Sequence, residues 1–431
     1  MADLHSRFDA RFLKDTAWNY VAFAVMAATG VILNFFIAAR FGIETLGVFN
    51  QIYAVYVVTA QVAVMGLHDS AQKHNAEFAA DAELRDTVSA TALLLAFVFG
   101  LATAALMFAL SGAIGRLAAS DPVGDGVRLA APGLLFFALN KVLMGILNGR
   151  RQMKAFAGAQ AFRAIAILVV CLSVARAGLP GYTLGASFTV AELALLPGLL
   201  IVVRPRLFGR VGDGRFRPWL GRHLRFGSKA LVNGFLAESY VRVDILMLGM
   251  FASDSVVGIY SFAALFIEGL YQIPVVIRTL ANPVLVELLI AGNRPAVARF
   301  ARRTAALSLG AFAAAAGAVI LIYPYLAPFF PAPLVADSRS LLLILTAGLL
   351  LYSAFVPLDQ ALLQGGLPGR QSLLMTCNVL ANVLLNLALI PALGAVGAAV
   401  ATALAYAISV LTVNLAAWRW LGLRGGLLVA R

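Results

Sequence analysis

Long apolar runs of this sequence contain ionisable side chains, among them Lys141, Arg163, Glu192, Glu238, Arg242, Asp244, Glu268 and Arg278. An ionised group in hydrocarbon is costly, so such groups face a bundle interior or a wet cavity and mark a pathway. Buried cations can hold an anion, and arginine suits phosphate because its planar fork engages two oxygens at once. Carboxylates at the same depth can balance those cations, or respond to a bound proton or sodium ion. Structural alternatives stand beside each reading. Glu238 and Arg242 are four residues apart and can pair along one helix. Lys141 and Arg278 lie near the end of a span, where their stems can snorkel. Arg163 and Glu192 sit deeper. Glu268 has no opposite charge within one turn of its own helix, which makes it the foremost candidate for a coupling-ion carboxylate.

Weaker polar features surround these groups. Asn378, Asn382 and Asn386 recur at four-residue spacing, and Asn19, Asn34, Asn50 and Gln51 mark the first runs. They can meet sugar hydroxyls or hydrogen-bond between helices. His68 and His74, beside Asp69 and Glu77, are six apart and share no helix face, so no metal site is read there. No phosphate-cradling glycine loop or triad pattern occurs, which argues against an enzyme.

The elements that must position these groups are membrane spans. Of 431 residues, 61% are hydrophobic and only 12% charged, too little polar surface for a soluble core, so the chain reads as an all-α polytopic membrane protein. Twelve spans are expected, near 15–40, 46–67, 87–110, 126–148, 157–177, 182–203, 229–251, 256–278, 301–323, 340–363, 371–391 and 395–418. The first follows a polar, basic start and reads as a signal anchor. The net charge of +13 is no nucleic-acid signal, because most Lys and Arg fall in the loops on the side of the N-terminus. Retained positive charge orients spans, which makes both termini cytoplasmic. Arg40, Arg116, Arg128, Arg176 and Arg339 fall on the opposite side. Cys171 and Cys377 sit far apart in apolar runs and suggest neither a disulfide framework nor a metal site.

The plan repeats. ARFGIETLGVFNQIYAVY resembles GMFASDSVVGIYSFAALF, aligning Gly47 with Gly258; later matches align Gly149 with Gly365 and Gly185 with Gly397. All three occur in order, at an offset of roughly 210 residues. Two parallel six-helix lobes follow, 1–203 and 229–431, joined by a basic cytoplasmic linker, 204–228, that can also touch anionic lipid. A substrate site is expected at the repeat interface. Pro132, Pro197, Pro274 and Pro357 fall inside spans, where they kink helices. Gly145-xxx-Gly149 and Gly181-xxx-Gly185 read as close packing within the chain.

The order of these motifs resembles the bacterial polysaccharide and O-antigen flippases of the multidrug/oligosaccharidyl-lipid/polysaccharide (MOP) exporter superfamily. The likeness rests on Ala39 to Phe49, on RVDILMLG from Arg242 to Gly249, on VGIYSFA from Val257 to Ala263, and on Ile273-Pro274 and Asn282-Pro283. It covers nearly the whole chain. It implies a MATE-like, V-shaped bundle that flips a lipid-linked oligosaccharide of the undecaprenyl-pyrophosphate type across the bacterial inner membrane by alternating access. Arg242, Arg163 and Lys141 would then line the cavity and bind pyrophosphate, with Arg278 at the cytoplasmic mouth; Glu192, Glu238, Asp244 and Glu268 would balance charge or couple to H+ or Na+. No cofactor is implied beyond that ion, and the implied partners are the lipid-linked glycan, membrane lipid and a polysaccharide polymerase machinery. The chain departs from the lipid II flippases in lacking an arginine cluster in its first helices, and from the drug exporters in lacking a carboxylate in the first spans before Glu44. A cation-coupled multidrug exporter is the alternative within transport, and a membrane polymerase or ligase the alternative outside it.

Overall fold

The computed structural model describes residues 2–204, 214–423 and 425–429, with side chains from residue 17 on except Asn233. Fourteen α-helices follow one another among the described residues. The first seven are α1 (Ala2–Phe41), α2 (Ile43–Val64), α3 (Leu67–Glu77), α4 (Ala82–Leu117), α5 (Asp121–Ala130), α6 (Gly133–Gly149) and α7 (Met153–Arg176). Then come α8 (Ala186–Val203), α9 (Phe216–Phe251), α10 (Asp254–Ile290), α11 (Arg294–Ile322), α12 (Leu334–Ser353), α13 (Ala361–Gln364) and α14 (Pro368–Leu421). The ends follow local chemistry. Asp81 accepts from the Leu84 amide at 2.9 Å, Ser120 from Val123 at 3.3 Å and Asn293 from Ala296 at 3.1 Å, each satisfying a donor that the first turn leaves orphaned. Gly422, at φ +68°, closes α14 in the left-handed conformation that glycine adopts without penalty.

Among the described residues, nine helices are long and apolar enough to cross a membrane, ten when α5 and α6 are joined across their 46° bend. The expected twelve exceeds this by two. The charges of α9 keep it outside the criterion, and Gly394, at φ 56° and ψ −132°, interrupts α14 so that 368–393 and 395–421 are separate rods. Of the four prolines expected to kink spans, Pro197 and Pro274 lie within continuous α8 and α10. Pro132 stands at the α5–α6 bend and Pro357 in a 3₁₀ turn after α12.

Contacts group the chain into two compact units: Met1–Arg40 with Gln51–Phe235, and Phe41–Asn50 with Leu236–Arg431. This differs from the expected lobes and linker. The centre of that linker, 205–213, lies outside the described residues, but from Phe216 on it is helix. Phe216, Trp219 and His223 form one buried face, spaced as a helix requires, while Arg217, Arg222 and Arg225 occupy the other. The glycines, prolines and arginines of this stretch suggest a tether; its apolar spacing makes it an amphipathic helix packed on the first unit. There His223 shares a hydrogen bond of 2.8 Å with Ser70 and lies 3.1 Å from the Val88 carbonyl. Trp219 stands edge-on to His74.

Glycines set the closest approaches. In the first unit a Cβ at Gly145 or Gly149 would strike the backbone oxygen of His68 or Gln72, so α3 lies directly on α6. In the second unit a Cβ at Gly47 would meet the Asp254 oxygen, and one at Gly258 the Ile43 oxygen. The two repeat-matched glycines therefore mark one crossing, between the start of α2 and the start of α10, and this contact draws Phe41–Asn50 into the second unit.

Candidate functional site

In the first unit, α6, α7 and α8 bring Asn140, Arg163 and Glu192 together. Asn140, wholly buried, donates its amide to the Glu192 backbone oxygen and to its Oε2, both at 2.8 Å. Arg163 Nε stands 2.5 Å from Glu192 Oε1, and the two side chains are 17% and 3% exposed. A carboxylate this buried is tolerated because charge and hydrogen bonds converge on it. The guanidinium also lies 4.9 Å from the centroid of the Phe137 ring, and Lys141 Nζ lies 6.0 Å from the same centroid. Two cations thus lie within reach of one aromatic ring, whose quadrupole attracts each.

In the second unit, Arg242 on α9 reaches Glu268 on α10 through both fork nitrogens, at 2.6 and 3.3 Å. Arg242 is 11% exposed and Glu268 38%, so the carboxylate is the accessible partner. Arg278 contacts both oxygens of Asp359 at 3.2 and 2.9 Å, and the Tyr352 hydroxyl donates to the same carboxylate at 3.2 Å. Asp244 is buried and receives the Tyr260 hydroxyl, the Ile245 amide at 2.8 Å and Thr402 at 3.5 Å. Beside it lies a cavity of about 70 Å³ whose walls include Asp244, Tyr260, Glu268, Asn382 and Thr402. That space holds a cation or a few waters, not a sugar ring. Tyr271 and Tyr406, which also line it, each stack on Tyr352, with centroids 6.5 and 5.4 Å apart.

Tertiary contacts add partners that the sequence does not show. Arg242 is engaged by Glu268 from the next helix, a contact beyond the Glu238 that the sequence places one turn earlier on α9. Glu268, without an opposite charge on its own helix, acquires one by tertiary contact. Arg278 is paired rather than snorkelling. The asparagine stripe also bonds within its own unit: Asn386 donates to Asn382 at 2.8 Å, and Asn378 accepts from Thr412 at 2.9 Å. Sequence reasoning misses Asn140, Asp359, Tyr260 and Thr402. Asp359, a lone acid closing the apolar run at VPLD, carried a signal; the other three are ordinary residues of apolar helices.

The all-helical arrangement is the fold of the MOP superfamily. It matches the lipid II flippase MurJ in an inward closed conformation at a TM-score of 0.75 and 16% identity, over 91% of this chain and 86% of that one. A multidrug resistance MATE family transporter of the MOP superfamily, facing inward, matches at 0.72 and 15%, over 91% and 96%. A MOP superfamily transporter from Pyrococcus furiosus, described as having a binding pocket of reversed polarity, matches at 0.61 and 16%, over 92% and 94%. No curated protein matches the sequence. The chain belongs to the polysaccharide biosynthesis protein family, whose sequence profile matches residues 44–308, more than half its length.

Proposed function

We propose that this protein is a non-enzymatic transporter that flips a lipid-linked oligosaccharide, carried on an undecaprenyl-pyrophosphate-type lipid, across the bacterial inner membrane. Membership of the polysaccharide biosynthesis family is the observation that carries the glycan reading. The buried ion pairs supply a mechanism. At rest Glu268 neutralises Arg242. A pyrophosphate entering beside Arg242 takes over its fork, since a phosphate offers the same pair of oxygens with more charge. The released carboxylate, already the more exposed partner, then binds H+ or Na+ together with Asp244 at the small cavity. Substrate and ion binding are linked in this scheme, and linkage of that kind is reciprocal. Arg163, Lys141 and Arg278 act as further anion contacts when their own partners are exchanged, with Glu192, Glu238 and Asp359 holding the balance. Both termini lie in the cytoplasm, and the flipped product feeds a polysaccharide polymerase.

A second reading has one observation in its favour. Around the pairs on α9 and α10, the acids Glu238, Asp244, Glu268 and Asp359 outnumber Arg242 and Arg278, which suits a cationic substrate. Deletion of the gene in its native host separates the two. Loss of surface polysaccharide, with lipid-linked intermediates accumulating at the inner leaflet and rescue by wild type but not by Arg242→Ala, supports the flippase. Intact polysaccharide with new sensitivity to cationic drugs supports the exporter.

A further inference from the structure

A second basic feature lies apart from the buried pairs. Arg40 occupies the last turn of α1 and Arg176 the last turn of α7. Together they flank an open groove of about 510 Å³, whose remaining walls are Phe36, Val169, Leu172, Ser173 and Ala175. No carboxylate is among these lining residues. Each arginine taken singly is explained by the negative end of its helix. That effect does not require two of them to converge on one groove of a size that holds a whole small molecule rather than an ion.

The order of side chains along the groove is that of an amphiphile. Arg176 ends a helix of 24 residues, about 36 Å long, which exceeds a hydrocarbon core of about 30 Å and lifts its last turn into the head-group layer. Leu172 and Val169 follow one and two turns deeper, 39% and 52% exposed. Phe36 stands one turn below Arg40. Charge lies at the head-group level and apolar surface beneath it.

We infer that this groove binds an anionic phospholipid, its phosphate between Arg40 and Arg176 and an acyl chain along Phe36, Leu172 and Val169. The guanidinium forks engage phosphate oxygens, and the exposed aliphatic faces are covered by the chain. Both arginines belong to the minority placed, by the span count, on the side where positive charge is scarce, so the site serves the leaflet opposite the N-terminus. It does not depend on what the protein transports.

Native mass spectrometry of the full-length protein, titrated with phosphatidylglycerol or phosphatidylcholine of identical acyl chains, tests the assignment. Wild type should retain one phosphatidylglycerol at least about tenfold more tightly than phosphatidylcholine. Arg40→Gln/Arg176→Gln should lose that preference, while Arg116→Gln/Arg339→Gln keeps it. A photoreactive phosphatidylglycerol on the wild-type protein gives a readout that needs no variant: cross-links should fall within 36–40 and 169–176. The inference is overturned if wild type shows no preference, if the correctly folded double variant retains it, or if the cross-links map elsewhere. Displacement of the lipid by millimolar inorganic phosphate overturns it too, by reducing the groove to a bare anion site.

Discussion

Arg163, Arg242 and Arg278 each meet a carboxylate from another element, and removal of one partner should therefore be worse than removal of both. Glu192, 3% exposed, is the sharpest case. Arg163→Met leaves its carboxylate buried beside Asn140 alone, and breaking a buried pair in this way costs about 3–5 kcal/mol. Arg163→Met/Glu192→Leu, which removes both charges, should recover most of that loss. Thermal unfolding in detergent checks both, and a double variant as unstable as the single would contradict the pairing. His223 offers a pH test outside the spans. Burial pushes its pKa down to about 4, with the Val88 carbonyl opposing and His74 assisting the shift. Because the folded state resists a proton that the unfolded chain accepts near 6.5, stability should hold above pH 6.5 and fall as pH drops from 6.5 toward 4. The slope is about 1.4 kcal/mol per pH unit. Hydrogen exchange at 219–227 should quicken over that window in wild type and lose its pH dependence in His223→Gln.

At the scale of elements, glycines and one amphipathic turn of charge decide which helices meet. Gly47 and Gly258 approach the opposing backbone too closely for any Cβ. Gly47→Ala must push the start of α2 off α10, an overpacking that costs about 1–3 kcal/mol. The expected result is a lower melting temperature; an unchanged one would mean that the crossing is looser than described. Gly397→Ala, the later repeat position, strikes the Leu389 carbonyl across the Gly394 break and should behave alike. The start of α9 teaches a different lesson. Its composition marks a tether, yet the four-residue spacing of Trp219 and His223 was present all along, and helical period outweighs composition when an apolar face has somewhere to pack.

For the whole molecule, the proposed exchange of partners at Arg242 predicts a split between two substitutions. In proteoliposomes, Arg242→Ala should abolish movement of a lipid-linked oligosaccharide, whereas Glu268→Gln should permit movement that no longer responds to a proton or sodium gradient. Equal gradient dependence in Glu268→Gln and wild type would remove Glu268 from coupling. The orientation is tested separately: tags at the two ends should both resist protease added outside intact cells, because retained positive charge sets the direction of the spans.

Apolar run lengths and the scarcity of charge were enough to establish a helical membrane protein. Both are local properties: burial of backbone polar groups in lipid demands helices wherever the chain stays apolar for about 20 residues. The polar residues that pair inside each unit were legible for the same reason, since Arg163, Glu192, Arg242, Asp244, Glu268 and Arg278 all stand out against hydrocarbon. Their partners were not. Arg242 meets Glu268, 26 positions on and on the next helix, and Arg278 waits 81 positions for Asp359. Which helix faces which is settled by side-chain packing between elements, where a guanidinium fork can align with two carboxylate oxygens of another helix. The same packing placed Phe41–Asn50 in the second unit and the linker's described end, from Phe216 on, against the first, results that follow from surfaces meeting in three dimensions.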